Sequence, residues 1–252
     1  MLSDAQLQVE ALRLLEAVDK RRTEFTPFEH YFKIRTSEFL LLATRLRSRQ
    51  DFACRRVLDV GCGNGYSLAL WSLLAENLVG MDRPDVLEGA HRLLDSFARK
   101  GVTTQLVPSA TDWPMVDLGT FDLILTQYAL EHVGDINGAL QTLKRLVSPE
   151  GYVVHVLPGL ADRHDWYIAY RMQTSLFRRL RDSLRERGLL GTLADPVGFT
   201  TPHEPRYGSF SREQDEYRLE TWTLQVMASG FQVMDYFQTR DVNWVLVTRP
   251  MA

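Results

Sequence analysis

The fold is decided by residues 56–65, which read RVLDVGCGNG. An apolar run ends in Asp59 and is followed by glycine at every second position. Glycine lacks a Cβ atom and tolerates positive φ, so the backbone can turn sharply and a ligand can lie against its N–H groups. The pattern is typical of a strand leading into a ligand-binding turn. We expect a helix from about Tyr66 to Glu76 to point its N-terminus at the same place.

A second short apolar run, residues 78–81, ends at Asp82. An acid at this point can accept hydrogen bonds from ribose hydroxyls, as in the nucleoside sites of doubly wound α/β folds. Dinucleotide sites usually have the pattern GxGxxG, whereas Tyr66 stands at the last glycine position here. The turn therefore favours a nucleoside without a phosphate.

Apolar patterning along the chain predicts alternating strands and helices. Strands are expected near residues 55–60, 78–82, 103–107, 121–126 and 152–157, and helices near 66–76, 85–100 and 136–147. Such alternation predicts a parallel sheet with helical crossovers. Residues 231–237 and 243–247 predict a hairpin that adds two further strands, and residues 3–22 and 31–49 have helical spacing.

Five motifs in sequence resemble those of class I S-adenosylmethionine (SAM)-dependent methyltransferases. They are LDVGCGNG at 58–65, GMD at 80–82, VPSATDWP at 107–114, FDLILTQYALEHV at 121–133 and LVSPEGYVVHV at 146–156. The resemblance covers roughly residues 54–158. It implies a Rossmann-like, doubly wound, mostly parallel seven-stranded sheet with helices on both faces. It also implies SAM as cofactor and S-adenosylhomocysteine as product.

This resemblance suggests four segments of the chain. Residues 1–50 would form an N-terminal helical extension or lid, and residues 51–158 the SAM-binding core. Residues 159–215 would form an insertion between the fifth and sixth strands that determines the substrate. Residues 216–252 would supply a helix and the antiparallel strand pair that completes the core.

The resemblance further implies which residues hold the cofactor. Asp59 is expected to help bind the methionine amino group, and Asp82 to accept both ribose hydroxyls, since an ionised carboxylate needs no proton to do so. Arg83 is expected either over the adenine or in solvent. The turn itself is expected to contact SAM through Gly61, Cys62, Gly63 and Gly65.

The loop after the third strand departs from the family pattern. Many relatives carry an acidic residue where Ser109 stands, and a hydroxyl is a weaker partner for the adenine amine. The backbone of Ala110 or the side chain of Asp112 could replace it, although Asp112 could equally cap a turn. Gln127, after the fourth strand, is expected either near the methyl group or bonded to loop backbone.

Methyl transfer to a hydroxyl requires in-line positioning and, for many acceptors, a base. The candidate bases are His203 and His164 in the insertion, and His132 in the fourth motif. His132 belongs to a tetrapeptide found in relatives with many different acceptors, which favours a structural role. His155 lies in the fifth strand and faces either the core or the cofactor.

The insertion contains two further features. Residues 165–187 predict a helix rich in arginine, which could contact an acidic acceptor, a membrane surface or only solvent. The loop TTPHEPRYG at 200–208 suits a polyhydroxylated acceptor, because aromatic faces cover sugar C–H groups and charged groups bond hydroxyls. With the aromatic segment 25–32, it resembles methyltransferases of bacterial surface-polysaccharide synthesis. We therefore expect O-methylation of a sugar or similar small molecule.

Composition limits the other classes. The net charge of −3 over 252 residues gives no global electrostatic case for nucleic acid. The two cysteines argue against a disulfide framework and for a reducing cytoplasm. No apolar run approaches the ~18 residues of a membrane-spanning helix, so no integral membrane association is expected. No ligand set has metal-site spacing, so no metal is expected.

Three alternatives stay open at this stage. A methyltransferase of another small molecule, such as a quinone precursor or an amine, would share every cofactor motif. A noncatalytic SAM-binding scaffold would also share them. A nucleic-acid methyltransferase is disfavoured, because residues 126–129 read TQYA and lack the Asn/Asp-Pro-Pro-aromatic segment of many enzymes that methylate base amino groups. The sequence leaves the oligomeric state undefined.

Overall fold

The computed structural model describes residues 2–26, 30–109, 118–130, 133–157, 219–239 and 243–251. Its helices are α1 (Asp4–Asp19), α2 (Arg22–Phe25), α3 (Tyr31–Arg47), α4 (Tyr66–Trp71), α5 (Pro84–Ser96), α6 (Ile136–Leu146) and α7 (Leu219–Ala228). Its strands are β1 (Arg56–Val60), β2 (Asn77–Asp82), β3 (Thr103–Pro108), β4 (Phe121–Gln127), β5 (Val147–Leu157), β6 (Phe231–Gln238) and β7 (Trp244–Pro250).

The strands form one sheet in the order β3-β2-β1-β4-β5-β7-β6. Strands β1 to β5 pair in parallel, whereas β7 is antiparallel to both β5 and β6. This confirms the predicted seven-stranded, mostly parallel sheet and its antiparallel end. The strand order reverses between β1 and β4, where doubly wound sheets form a ligand crevice at the carboxyl ends of the strands.

Helices cover both faces of the sheet because its strands carry apolar residues on both sides. One buried cluster joins the sheet to α1, α3, α4 and α5, and a second joins it to α6 and α7. In the first cluster, Phe39 of α3 meets Trp71 of α4 edge to face, with 5.1 Å between ring centroids. Helices α1 and α3 are thus part of the core packing. The predicted division into four segments stays a prediction, and its insertion lies outside the described residues.

Two predicted boundaries were wrong by five residues. Helix α4 ends at Trp71 instead of Glu76, because the backbone N–H groups of Glu76 and Asn77 both bond the carbonyl of Arg55 and draw the chain into β2. Strand β5 begins at Val147, five residues earlier than expected, across an irregularity in its pairing with β4. Cys54 and Cys62 are both free thiols. Among the described helices, none is both long and apolar enough to cross a membrane.

Two glycines provide a matched test of this packing. A Cβ atom on Gly80 would lie 2.6 Å from Leu68, 2.7 Å from Leu106 and 2.9 Å from the sulfur of Cys62, whereas a Cβ on Gly89 would meet nothing within 4 Å. We expect Gly80→Ala to lower the free energy of unfolding by about 1–3 kcal/mol through overpacking. Gly89→Ala should raise it by up to about 1 kcal/mol, because alanine favours the helix.

Urea denaturation of the two variants beside the unmodified protein measures both effects. If Gly80→Ala were as stable as the unmodified protein, the close contact of β2 with α4 and the glycine turn would be incorrect.

Candidate active site

The glycine turn is held by strand β2. The N–H groups of Gly61 and Cys62 donate to the carbonyl of Met81 at 2.8 and 3.0 Å. Gly61 has φ +74°, and a Cβ there would lie 2.6 Å from the Cβ of Ala129, just after β4. The turn therefore needs glycine both for its backbone conformation and for its close approach to the end of β4.

Asp82 fastens the same turn through its side chain. One carboxylate oxygen accepts from the N–H of Gly63 at 2.7 Å, and the other accepts from the N–H of Arg83 at 2.7 Å. The N–H of Ser109 donates to the Asp82 carbonyl, which brings the end of β3 alongside. The half-exposed guanidinium of Arg83 lies 3.2 Å from Asp85. The structure thus gathers Asp82, Gly63 and Ser109 at one edge of the sheet.

Asp59 is buried at the centre of this edge. It pairs with Gly80 of β2 and Leu125 of β4, and its residue surface is 1% exposed. Burial raises the pKa of its carboxyl to about 7, with a smaller contribution from Asp82, while a hydrogen bond with Ser67 and the charge of Arg35 lower it. Its Oδ1 atom has no hydrogen-bond partner among the described residues. A buried acceptor of this kind suits a ligand that donates.

Gln127 lies on the same face of the sheet as Asp59. Its amide nitrogen donates to the hydroxyl of Ser67 at 2.6 Å. The structure therefore shows this amide bonded to another side chain, and the two roles expected for Gln127 stay predictions. Ser67 lies on α4, so this bond joins α4 to the end of β4.

Helix α3 closes one side of the edge. The hydroxyl of Tyr31 lies 3.4 Å from the Oδ1 atom of Asn64 in the glycine turn. Arg35 forms a 2.7 Å ion pair with Glu38, which is 1% exposed, and stacks at 4.0 Å on the ring of Tyr128. The Tyr128 hydroxyl donates to Glu38 at 2.5 Å.

Tyr128 also has an unusual backbone. Its φ of +56° places a non-glycine residue in the left-handed region immediately after β4. Such strain persists only where the surroundings fix it, here through the Glu38 bond and an N–H bond to the carbonyl of Val156. The ion pair of α3 and the end of β4 therefore form one rigid unit.

The four histidines considered for the site divide into two groups. His155 is fully buried, with its Nδ1 atom 2.9 Å from the Thr126 hydroxyl, and burial lowers its pKa to about 3. Its neighbours Val154 and Val156 pack on the Asp59 side, so alternation places His155 on the opposite face. It therefore faces the core. The predicted bases His132, His164 and His203, together with Ala110, Asp112, the 165–187 helix and the 200–208 loop, lie outside the described residues.

Sequence reasoning missed the supporting residues Ser67, Tyr31, Arg35 and Tyr128. Ser67 had one usable signal, because it follows the glycine turn on a helix whose N-terminus points at the site. Tyr31 belongs to the aromatic segment 25–32 noted above, whereas Arg35 gave no signal because it reaches the site only through tertiary packing.

The sheet order, the glycine turn and the two acids define a class I SAM-dependent methyltransferase. A family model described as a methyltransferase domain matches residues 28–248, and the chain belongs to that family. Its cofactor is accordingly SAM. Within the parts of the chain that the structure describes, no group of three or more His, Cys, Asp or Glu side chains could hold a metal ion.

Curated relatives share part of the chain. A ubiquinone biosynthesis O-methyltransferase from Thiobacillus denitrificans is 32% identical over 137 residues, which are 52% of this chain and 59% of that protein. The protein of the same name from Maricaulis maris is 25% identical over 68% of this chain and 71% of its own length. This chain thus spans somewhat more than half of the first relative.

Solved structures share the fold. Magnesium protoporphyrin IX methyltransferase from Synechocystis, crystallised with bound S-adenosylhomocysteine, superposes with a TM-score of 0.56. The match covers 93% of this chain and 94% of that one at 13% identity. At such low identity the likeness shows the architecture alone.

Asp59→Asn should raise the thermal stability of the ligand-free protein in a pH-dependent way. The folded pKa of about 7 lies above the ordinary 3.8, so ionised Asp59 destabilises the fold above pH 7, and this cost declines as the pH falls from 7 towards 3.8. Without SAM, the variant should therefore have a higher Tm than the unmodified protein at pH 8, and the difference should shrink towards pH 4. Thermal unfolding across this range measures it.

Asp95→Asn, on the exposed side of α5, is the matched control and should leave Tm unchanged. A lower Tm for Asp59→Asn at pH 8 would mean that the carboxylate stabilises the ligand-free fold, contrary to its burial without a full set of partners.

Proposed function

We propose that this protein transfers the methyl group of SAM to a hydroxyl oxygen of a small molecule. When bound, SAM supplies a sulfonium methyl group that a nucleophile displaces with release of S-adenosylhomocysteine. In the reaction a bond forms between the acceptor oxygen and the methyl carbon, the sulfur–methyl bond breaks, and the hydroxyl proton passes to a base.

The observation that carries the cofactor part is the buried Asp59 carboxylate with its unpaired Oδ1 atom. SAM is a cation with an α-ammonium group, which is the donor that such an oxygen lacks. The glycine turn offers backbone without Cβ atoms beside it, and Asp82 at the end of β2 retains lone pairs for the ribose hydroxyls. The residues present therefore fit SAM.

The choice of oxygen as acceptor is supported by the relatives, which are named as O-methyltransferases. Two acceptor classes follow from separate observations. The 200–208 loop favours a sugar or other polyhydroxylated molecule, whereas the relatives, which are named ubiquinone biosynthesis O-methyltransferases, favour a quinone precursor. Both present a hydroxyl whose proton must be removed.

A methyl-transfer assay tests the proposal. Purified protein with methyl-labelled SAM should label an acceptor from a panel of nucleotide sugars, glycans and polyprenyl catechols, with one S-adenosylhomocysteine formed per methyl transferred. Label in the catechols alone would select the quinone-precursor class, and label in the sugars alone the polyhydroxylated class. Tight SAM binding without methyl loss to any acceptor or cell extract would favour a noncatalytic scaffold.

The proposed base is tested in the same assay. If His203 removes the acceptor proton, His203→Ala should abolish turnover and leave SAM affinity nearly intact, because the base acts on the acceptor and not on the cofactor. His164→Ala and His132→Ala are the comparisons. Unchanged turnover in His203→Ala would transfer the role to whichever of these two variants is inactive.

A further inference from the structure

We propose that Tyr128 is a positioning residue for the glycine turn and that Glu38 holds it in its strained conformation. Through its neighbour Ala129, Tyr128 keeps the backbone of Gly61 in the shape that receives the cofactor. The inference rests on the proposed function, because the ligand of that turn is SAM. Cofactor affinity thereby depends on two residues that act through the turn.

Glu38 is a buried carboxylate with partners from three parts of the chain. It is 1% exposed, and its Oε2 atom forms a 2.7 Å ion pair with Arg35 of the same helix. Its Oε1 atom accepts from the hydroxyl of Tyr128 at 2.5 Å and from the amide nitrogen of Asn243, just before β7, at 3.5 Å. Glu38 therefore holds α3, the end of β4 and the start of β7 in one arrangement.

Stability alone does not account for a buried ion pair. Desolvation offsets much of the attraction, and apolar residues of similar size are often at least as stable. What this pair supplies is a fixed geometry, because the Arg35 guanidinium lies 4.0 Å from the ring centroid of Tyr128 while Glu38 binds its hydroxyl. Ring and hydroxyl are both held, which fixes the direction in which the Tyr128 side chain leaves the backbone.

The backbone of Tyr128 needs this support. Its φ of +56° lies in the left-handed region, where a Cβ atom crowds a neighbouring carbonyl oxygen. Among the described residues it is the one residue other than glycine with positive φ. Its N–H donates to the carbonyl of Val156 at 2.9 Å, so the residue is held at its backbone as well as at its hydroxyl. Loss of the hydroxyl bond removes one of these two restraints.

The next residue transmits the conformation to the glycine turn. A Cβ atom on Gly61 would lie 2.6 Å from the Cβ of Ala129 and 3.6 Å from its Cα. Ala129 therefore packs directly on the bare backbone of Gly61, whose own N–H donates to the carbonyl of Met81 at 2.8 Å. Gly61 is thus fixed both from β2 and from Ala129. Rotation at Tyr128 would move Ala129 and with it one of the two contacts that shape the turn.

Alanine and glycine at position 128 form a matched pair of variants. Both remove the ring and the hydroxyl, and they differ only in a Cβ atom that disfavours φ +56°. We expect Tyr128→Ala to raise the Kd for SAM about tenfold and Tyr128→Gly to raise it at most about threefold, because glycine adopts the left-handed conformation without strain. Isothermal titration with SAM and with S-adenosylhomocysteine measures both. The ratio should be the same for the two ligands, since both contact the turn.

Tyr128→Phe tests the contribution of Glu38. This variant keeps the ring beside Arg35 and deletes only the hydroxyl that donates to Glu38. We expect the Kd for SAM to rise about fivefold, because the strained residue loses a hydrogen bond to a charged group. A Kd equal to that of the unmodified protein would show that Glu38 does not hold Tyr128 in place.

Gly101→Ala is the matched control for strain. Gly101 has φ +83° and lies just before β3, at the amino end of that strand and away from the site, and a Cβ there would meet nothing within 4 Å. A Cβ atom in the left-handed region should lower the free energy of unfolding here and leave the Kd for SAM unchanged. If lost stability alone weakened binding, this variant would bind SAM weakly too.

Equal affinity of Tyr128→Ala and Tyr128→Gly for SAM would overturn the inference and leave Tyr128 with a packing role. Circular dichroism at the titration temperature establishes that each variant is folded. If Tyr128→Ala does not fold, Tyr128→Phe beside Gly101→Ala decides the question. Unmodified protein that is folded and binds no SAM would instead refute the proposed function, so the two failures are distinguishable.

Discussion

The buried carboxylate of Asp59 is the constraint around which the site is organised. Transferring a carboxylate out of water is costly unless donors replace the lost hydration, and burial here raises its pKa to about 7. A hydrogen bond with Ser67 and the charge of Arg35 offset part of this cost. The remaining imbalance destabilises the ligand-free fold, and we propose that it favours binding of a cationic donor. Asp59 thus lowers the stability of the ligand-free protein at the position proposed to bind the cofactor.

The sheet topology explains why the buried Asp59 lies at this edge of the sheet. Reversal of strand order between β1 and β4 leaves their carboxyl ends side by side without a crossover above them. Asp59, the glycine turn and Gln127 all lie at that edge. Asp82 then fastens the turn to β2 through the N–H of Gly63. Helix α3 closes the side through the Arg35–Glu38 pair and Tyr128, which joins the N-terminal helices to the same rigid unit.

The parts predictable from sequence are those encoded by local pattern. Alternating apolar runs located the strands, and LDVGCGNG with Asp82 located the turn and both acids, because each depends on residues close together in the chain. The end of α4 was misplaced because a distant carbonyl, that of Arg55, draws the chain into β2. His155 could not be assigned to a face from sequence, since register with β4 and β7 decides it.

The supporting residues were missed for the same reason. Glu38 and Tyr128 are 90 residues apart in the chain. Only folding brings them together, with Arg35 against both. Substrate identity was inferred from residues 159–215, whose predicted roles stay predictions.

The measurement that tests the central claim most directly is isothermal titration of the ligand-free protein with SAM, with S-adenosylhomocysteine and with NAD as a control. We expect micromolar binding of the first two and none of NAD, because the turn and the two acids fit a nucleoside that carries an amino acid and no phosphate. Folded protein that binds neither SAM nor S-adenosylhomocysteine would contradict the assignment of this edge of the sheet as a cofactor site.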